Sequence, residues 1–198
     1  MIGFQGRFPA IGAVLLLLLA TGCLGPKGDT IAEKQASALA MRDRVLVEMI
    51  ENDPDLKADV DKSLGYAVLN NFSIHPGMFS FAAGYGVIWN KSKERNSHVR
   101  WTRLTLGPGI AVKGIYVLVL FHDQELMESF EDGRWTAGGQ AEASLVFGDF
   151  GGGLELAWIF NRKVDVSYMT HTGVALEIEL FGVGVLSDVP KLNTTPAP

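Results

Sequence analysis

The sequence predicts an α+β fold in which N-terminal helices precede a glycine-rich antiparallel β-barrel or sandwich with one inserted short helix. Two observations predict this class. Capping signals and helical spacing occur before Gly65 and in one later segment, whereas from Gly65 onward short apolar runs with strand-like alternation recur between turn residues. The length of 198 residues leaves room for one domain, which we place at residues 30–189.

The helices come first along the chain. Thr30 and Glu33 have the spacing of a capping box, which predicts a helix of roughly twenty residues that ends near Ile50. The proline in residues 52–54 should end it, and a second short helix should cover residues 55–63. The apolar stripe predicted for the first helix is Ala32, Ala36, Leu39, Leu46 and Ile50.

The strands are predicted from short apolar runs. Asp123 should cap the inserted helix, Gln124–Glu131, and tight turns are predicted at residues 161–162 and 170–173. Such regular spacing with short turns favours antiparallel over parallel pairing. The predicted strands are residues 66–69, 78–89, 104–112, 115–121, 141–147, 154–160, 164–170, 174–181 and 183–186.

Many of the 23 glycines fall inside these predicted strands. Glycine packs poorly in a strand and marks bulges, sharp curvature or the close approach of another backbone. We therefore expect a strongly bent, barrel-like sheet, and a cleft for an acyl chain is the functional alternative for the same pattern. The glycines concerned are Gly84, Gly86, Gly107, Gly109, Gly151, Gly152 and Gly153.

Residues 1–22 have the composition of an export signal, with one positive charge at Arg7 and an apolar core over residues 11–20. Small residues before Cys23 resemble a bacterial lipobox, which predicts diacylglycerol and palmitate on this cysteine and a tether over residues 23–29. The alternative is an ordinary signal peptide with an incidental or structural cysteine. Because Leu24 rather than aspartate follows, we expect a lipid anchor in the outer membrane, facing the periplasm.

The motif order after the helices resembles the SYLF domain, also known as the Ysc84 actin-binding domain family, over about residues 58–188. The resemblance implies a non-enzymatic module that binds phospholipid, and in eukaryotes also actin; bacterial members are often exported lipoproteins. The segments that carry it are Gly65-Tyr66-Ala67-Val68-Leu69, the glycine-rich stretch from Pro76-Gly77 to Gly84-Tyr85-Gly86-Val87, Tyr116-Val117-Leu118-Val119-Leu120-Phe121, Trp135-Thr136-Ala137-Gly138, Val166-Ser167-Tyr168 and Thr172-Gly173-Val174-Ala175.

No pattern in the chain predicts catalysis, a cofactor or a metal. The single cysteine excludes a cysteine-rich zinc site, and no two of the four histidines have helical ligand spacing. The net charge of −5 argues against nucleic-acid binding. A carboxylate pair across strands is the remaining enzymatic possibility, although such residues more often form a solvated sheet face; the candidates are Glu142, Glu155, Glu177 and Glu179.

Basic residues concentrate between residues 91 and 113, where Glu94 is the one acidic residue. A basic loop edged by tryptophan suits an anionic headgroup surface, because both residue types favour the membrane interface. The alternative is a solvated hairpin loop over residues 90–98 with its tryptophans in the core. The predicted headgroup-binding residues are Lys91, Lys93, Arg95, Arg100, Trp101 and Arg103, with Lys113 nearby.

The sequence therefore predicts a lipid-anchored envelope protein whose domain binds phospholipid without catalysis. A structural envelope protein that binds another protein through its sheet edges is the alternative function, and an enzyme ranks third. Residues 190–198 are predicted to form a disordered tail.

Overall fold

The computed structural model describes residues 25–132, 136–137, 149–150, 154–155, 163–177 and 181–194, and it has the predicted α+β architecture. Its elements are α1 (Ile31–Asn52), α2 (Leu56–Lys62), β1 (Gly65–Asn90), β2 (Arg95–Phe121), α3 (Gln124–Glu131), β3 (Thr136–Ala137), β4 (Asp149–Phe150), β5 (Leu154–Glu155), β6 (Val164–Glu177), β7 (Phe181–Asp188) and α4 (Pro190–Asn193). The leader, Cys23, the predicted strand 141–147 and the turn 161–162 lie outside the described residues.

Helix α1 begins at the predicted capping box. The hydroxyl of Thr30 accepts from the Glu33 amide at 3.2 Å, and the Glu33 carboxylate accepts from the Thr30 amide at 3.0 Å. The predicted apolar stripe is wrong. Four of the five buried positions each lie one residue before a predicted position, which rotates the buried face by about 100° round the helix. The buried residues of α1 are Gln35, Ala38, Met41, Val45 and Met49. This stripe packs Met41, Val45 and Met49 against apolar side chains of the sheet, so the tertiary contact determines which face of the helix is buried.

One long hairpin forms most of the sheet. β1 and β2 pair antiparallel from Gly65 opposite Phe121 to Asn90 opposite Arg95, joined by a turn at residues 91–94. The predicted runs 66–69 and 78–89 are thus parts of one strand, as are 104–112 and 115–121. A register shift between Gly77 and Phe79 marks the place where the hairpin bends.

The two halves of β1 approach each other closely beyond this bend. A Cβ on Gly84 would lie 1.8 Å from the carbonyl oxygen of Asn70, and one on Gly86 would lie 2.6 Å from that of Val68. A side chain at either position would collide with backbone, so glycine is required there. These two glycines confirm the sequence-based expectation of a strongly bent sheet.

The second edge of β2 carries the remaining long strands. β7 pairs antiparallel with β2 over residues 99–106, and β6 pairs with it over residues 109–121. Within the described residues the strand order is an open path, so the sheet fits a bent sandwich and is not a closed barrel. The tight turn predicted at residues 170–173 is wrong: β6 runs through it, with Gly173 at φ 109° beside a register shift.

The bent sheet has an apolar cluster on each face. The inner cluster includes Phe121, Ile88 and Trp101, together with Met127 and Phe130 of α3. The outer cluster packs α1 and α2 against Val68, Leu118 and their neighbours on the sheet. None of the described helices is both long enough and apolar enough to cross a membrane.

The chain beyond β7 is ordered further than the sequence predicts. Residues 190–193 form helix α4, and Leu192 at its centre is buried. The Asn193 side chain accepts from the His98 amide at 2.6 Å and donates to the His98 carbonyl at 3.0 Å. A disordered tail from Pro190 is therefore wrong for these four residues, because one leucine and one asparagine dock the segment against β2.

Candidate functional site

Lys91, the first residue of the hairpin turn, binds the end of helix α2. Its ammonium donates to the carbonyls of Val60 at 2.6 Å, Asp61 at 3.1 Å and Ser63 at 2.8 Å. These carbonyls have no partner inside the helix, and a cation there also complements the helix dipole. The predicted headgroup ligand Lys91 thus has all three ammonium donors directed into the protein.

Lys93 and Arg95 pair with carboxylates of α3. Lys93 lies 2.8 Å from a carboxylate oxygen of Glu128, and the Arg95 guanidinium lies 3.2 Å from one of Glu131. Glu131 also accepts from the Ser97 hydroxyl at 2.9 Å and from the Asn90 amide at 3.1 Å. The turn and α3 are therefore joined by a charged cluster in which both signs are present.

Glu131 is the centre of this cluster, with a side chain that is 1% exposed. Burial alone would raise the pKa of its carboxyl group, but hydrogen bonds from Arg95, Ser97 and Asn90 hold that pKa below its usual value. A polar cleft of about 470 Å³ adjoins it. Because the carboxylate oxygens already accept from three side chains, they serve the packing of the hairpin turn.

The other predicted headgroup residues lie on opposite faces of β2. Arg100 is exposed on the outer face, whereas Trp101 is 3% exposed and belongs to the inner apolar cluster. Arg103 and Lys113 are buried on the same inner face. The structure thus brings together Lys91, Lys93 and Arg95 at the turn, separates Arg100 from them and places Trp101 in the core.

Arg100 instead belongs to a different group of basic residues, around a cleft beside the tether. This cleft of about 360 Å³ lies between the start of α1, the strands β1 and β2, and α4. None of its described lining residues is a carboxylate. Its lining residues are Gly25, Pro26, Ile31, Lys34, Ala38, Tyr85, Gly86, His98, Val99, Arg100, Val189, Lys191 and Leu192. We refer to this site as the tether cleft.

Three cations and several apolar lining residues define the chemistry of the tether cleft. Lys34, Arg100 and Lys191 supply positive charge, and within the described part of the chain neither Lys34 nor Arg100 forms an ion pair. Burial lowers the pKa of His98, which therefore stays neutral at physiological pH. A small anionic group bound beside an apolar chain matches this combination of side chains.

Sequence reasoning found Arg100 but missed Lys34 and Lys191. Helix α1 supplies Lys34 and α4 supplies Lys191, so the three cations come from residues far apart in the chain. No local sequence pattern links them, because Lys191 lies near Arg100 only as a result of the docking of α4 on β2.

The described histidines form no metal site. His75 contacts the Gly107 carbonyl at 2.8 Å, and His122 contacts Asp165 at 2.7 Å. His171 stacks on Tyr116. Across the described ranges no three His, Cys, Asp or Glu side chains are placed to hold one ion. The candidate catalytic residue Glu142 lies outside those ranges, and the side chains of Glu155, Glu177 and Glu179 are likewise not described.

Comparison with known proteins shows a distant relative. The chain is 26% identical over 161 residues to beta cell expansion factor A of Aeromonas veronii. The alignment covers 80% of this chain and 58% of that protein, so the chain spans little more than half the length of this relative. No family model matches the sequence.

Proposed function

We propose that this chain is a membrane-anchored bacterial lipoprotein with a SYLF-like, non-catalytic domain that binds anionic phospholipid. The order of motifs along β1, β2 and β6 supports the SYLF relationship, and the similarity to beta cell expansion factor A covers 80% of the chain. The predicted anchor at Cys23 would hold the domain in the outer membrane, on its periplasmic side.

The observation that carries this proposal is the tether cleft. Gly25 and Pro26 line it, so the cleft begins two residues after the predicted lipidation site. An acyl anchor at Cys23 would keep this end of the domain at the headgroups. Lys34 and Arg100, with Lys191 beside them, attract a phosphate there, because the described lining contains no carboxylate, and the apolar lining residues suit the adjoining glycerol and acyl atoms.

The test is charge reversal at the tether cleft. Lys34→Glu together with Arg100→Glu should weaken binding to vesicles of phosphatidylglycerol and phosphatidylcholine by roughly thirtyfold or more, because each basic residue near an anionic surface contributes about 1 kcal/mol. Binding of the parent should also fall steeply as salt rises. The protein for this assay runs from residue 23 with Cys23→Ser, which keeps every described element. Vesicle sedimentation gives the affinity.

A charge-matched control separates the site from net charge. Lys57→Glu with Lys62→Glu changes the charge by the same amount on α2, where each lysine is exposed and pairs with a neighbouring aspartate. We expect this variant to bind much more tightly than the cleft variant. Equal losses in the two folded variants would show that the cleft is not the site, and a parent that binds no anionic vesicle would contradict the proposed function. A partner protein captured through sheet edges would then become the leading alternative.

A further inference from the structure

A second surface lies where the β1–β2 hairpin bends. Seven of the ten large apolar side chains exposed in the described residues are found there, and Ile110 is 75% exposed. They are Met78, Phe79, Phe81, Leu104, Leu106, Ile110 and Val112. We refer to this surface as the apolar bend.

The pairing register makes the apolar bend one continuous surface. Phe79 lies opposite Leu106 and Phe81 opposite Leu104, so their side chains share the outer face. Val112 and Ile110 continue this face on the other side of the bulge. Helix α1 covers the same face farther along the hairpin, where the outer cluster forms, and among the described residues nothing covers the bend. Exposed apolar groupings of this kind mark interaction sites.

The charge beside the apolar bend favours an anionic partner. Lys91, Lys93 and Arg95 are held at the hairpin turn and Arg103 and Lys113 are buried, so Arg100 is the basic residue that the outer face of this fully described hairpin exposes. Arg100 projects from the outer face of β2 four residues before Leu104, so the tether cleft and the apolar bend lie along one sheet face. Cations beside exposed apolar groups match a bilayer, which presents anionic headgroups above hydrocarbon.

The apolar bend consists of a few large side chains on one face of the hairpin. Membrane insertion needs a few large apolar side chains rather than a broad complementary surface, because the hydrocarbon adapts to their shape.

We propose that the apolar bend inserts into the lipid bilayer while the tether cleft holds a headgroup on the same face. This inference rests on the proposed function and adds a second contact between the domain and the membrane. The membrane then touches the domain at both the cleft and the bend of the hairpin. Ile110 and Phe81, the two most exposed of the seven, should reach the hydrocarbon boundary.

A single-site label tests the depth of the apolar bend directly. Because the chain has one cysteine, protein with Cys23→Ser accepts a label at one introduced position. Ile110→Cys, labelled with an environment-sensitive nitrobenzoxadiazole dye, should brighten and shift to the blue on vesicles of phosphatidylglycerol and phosphatidylcholine. Val47→Cys is the matched control, because Val47 is 56% exposed on α1, away from the bend. The fluorescence of a dye at position 47 should not change when the vesicles are added.

Substitution supplies the second measurement. Phe81→Ser with Ile110→Ser should lower vesicle affinity by about tenfold or more with the salt dependence kept, because the lost contribution is apolar. Val47→Ser should bind as the parent does. The thermal unfolding temperatures of these variants should match that of the parent, since the replaced side chains are exposed.

The outcomes distinguish the two proposals. A parent that binds vesicles with a silent label at position 110 overturns membrane insertion and leaves the tether cleft standing. A parent that binds no vesicle overturns the proposed function, and insertion with it. If sedimentation shows a dimer that Phe81→Ser with Ile110→Ser dissociates, while vesicle affinity is unchanged, the apolar bend covers a second copy of the chain instead.

Discussion

At the scale of single residues, Glu131 organises the hairpin turn. Its buried carboxylate receives hydrogen bonds from Arg95, Ser97 and Asn90, three residues at the facing ends of β1 and β2. Buried charges of this kind are tolerated only with such partners, and removing one partner leaves the others unsatisfied. The basic residues of the turn therefore stabilise the fold through internal contacts rather than forming an unpaired basic surface.

Glu131→Gln should destabilise the fold by about 1–3 kcal/mol, because the amide replaces a charged acceptor and brings its own donor towards Arg95 and Asn90. Urea unfolding at pH 7 gives the loss. Glu128→Gln, a change at an exposed acid on the same helix, should cost much less. Equal stability of the parent and Glu131→Gln would contradict the role given to this carboxylate.

The difference in unfolding free energy between the parent and Glu131→Gln should depend on pH, in a direction that the pKa of Glu131 determines. The folded pKa of Glu131 lies below its ordinary value of 4.5, so its stabilising contribution is present above that pH. The contribution declines as the pH falls through 4.5 towards the folded pKa. The gap in unfolding free energy between the parent and Glu131→Gln should therefore narrow below pH 4.5, and a gap that widens there would contradict the sign.

At the scale of elements, the β1–β2 hairpin combines length with sharp curvature. A strand of 26 residues would extend far beyond a small core if straight, so it must bend. The bulge at Gly77 turns it, and the absence of side chains at Gly84 and Gly86 lets its two halves approach. The inner apolar cluster is enclosed by this folding, and the apolar bend is left outside it.

Gly84→Ala should lower the free energy of unfolding by about 1–3 kcal/mol or more, because its Cβ would lie 1.8 Å from the Asn70 carbonyl oxygen and backbone cannot move aside cheaply. Denaturant unfolding measures the loss. Gly25→Ala, where nothing lies within 4 Å of the added carbon, is the matched control and should be nearly neutral. A Gly84→Ala protein as stable as the control would mean that the two halves of β1 do not meet there.

At the scale of the whole molecule, the proposed contacts all fit one orientation at a membrane. The predicted anchor at Cys23 precedes the tether cleft by two residues, and the apolar bend continues the face that bears Arg100. A lipid tether confines the domain near the surface, so weak contacts at the cleft and the bend act at high effective concentration.

The anchor itself is tested by intact mass. Protein extracted from membranes of the producing cell should begin at Cys23 and carry the added mass of its acyl chains. Cys23→Ser should retain residues 1–22, because the cysteine is both the cleavage signal and the acceptor. An extracted parent that begins elsewhere, or that has no acyl mass, would contradict the lipoprotein assignment.

The amino-acid sequence determined the local features of this protein. The capping box at Thr30 and the cap of α3 at Asp123 follow from chemistry between near neighbours. These signals depend on a few consecutive residues, so they can be read without knowing what packs against them. The clustering of basic residues between positions 91 and 113 was also visible in the sequence.

Only the tertiary structure decided what those basic residues do. Strand alternation assigns Trp101 and Arg103 to the inner face and Arg100 to the outer one, and the carbonyls at the end of α2 bind Lys91. The tether cleft likewise exists only because α4 docks on β2. Charge along a sequence shows how many cations a segment has, but pairing and burial, which depend on distant segments, determine which of them still face the solvent.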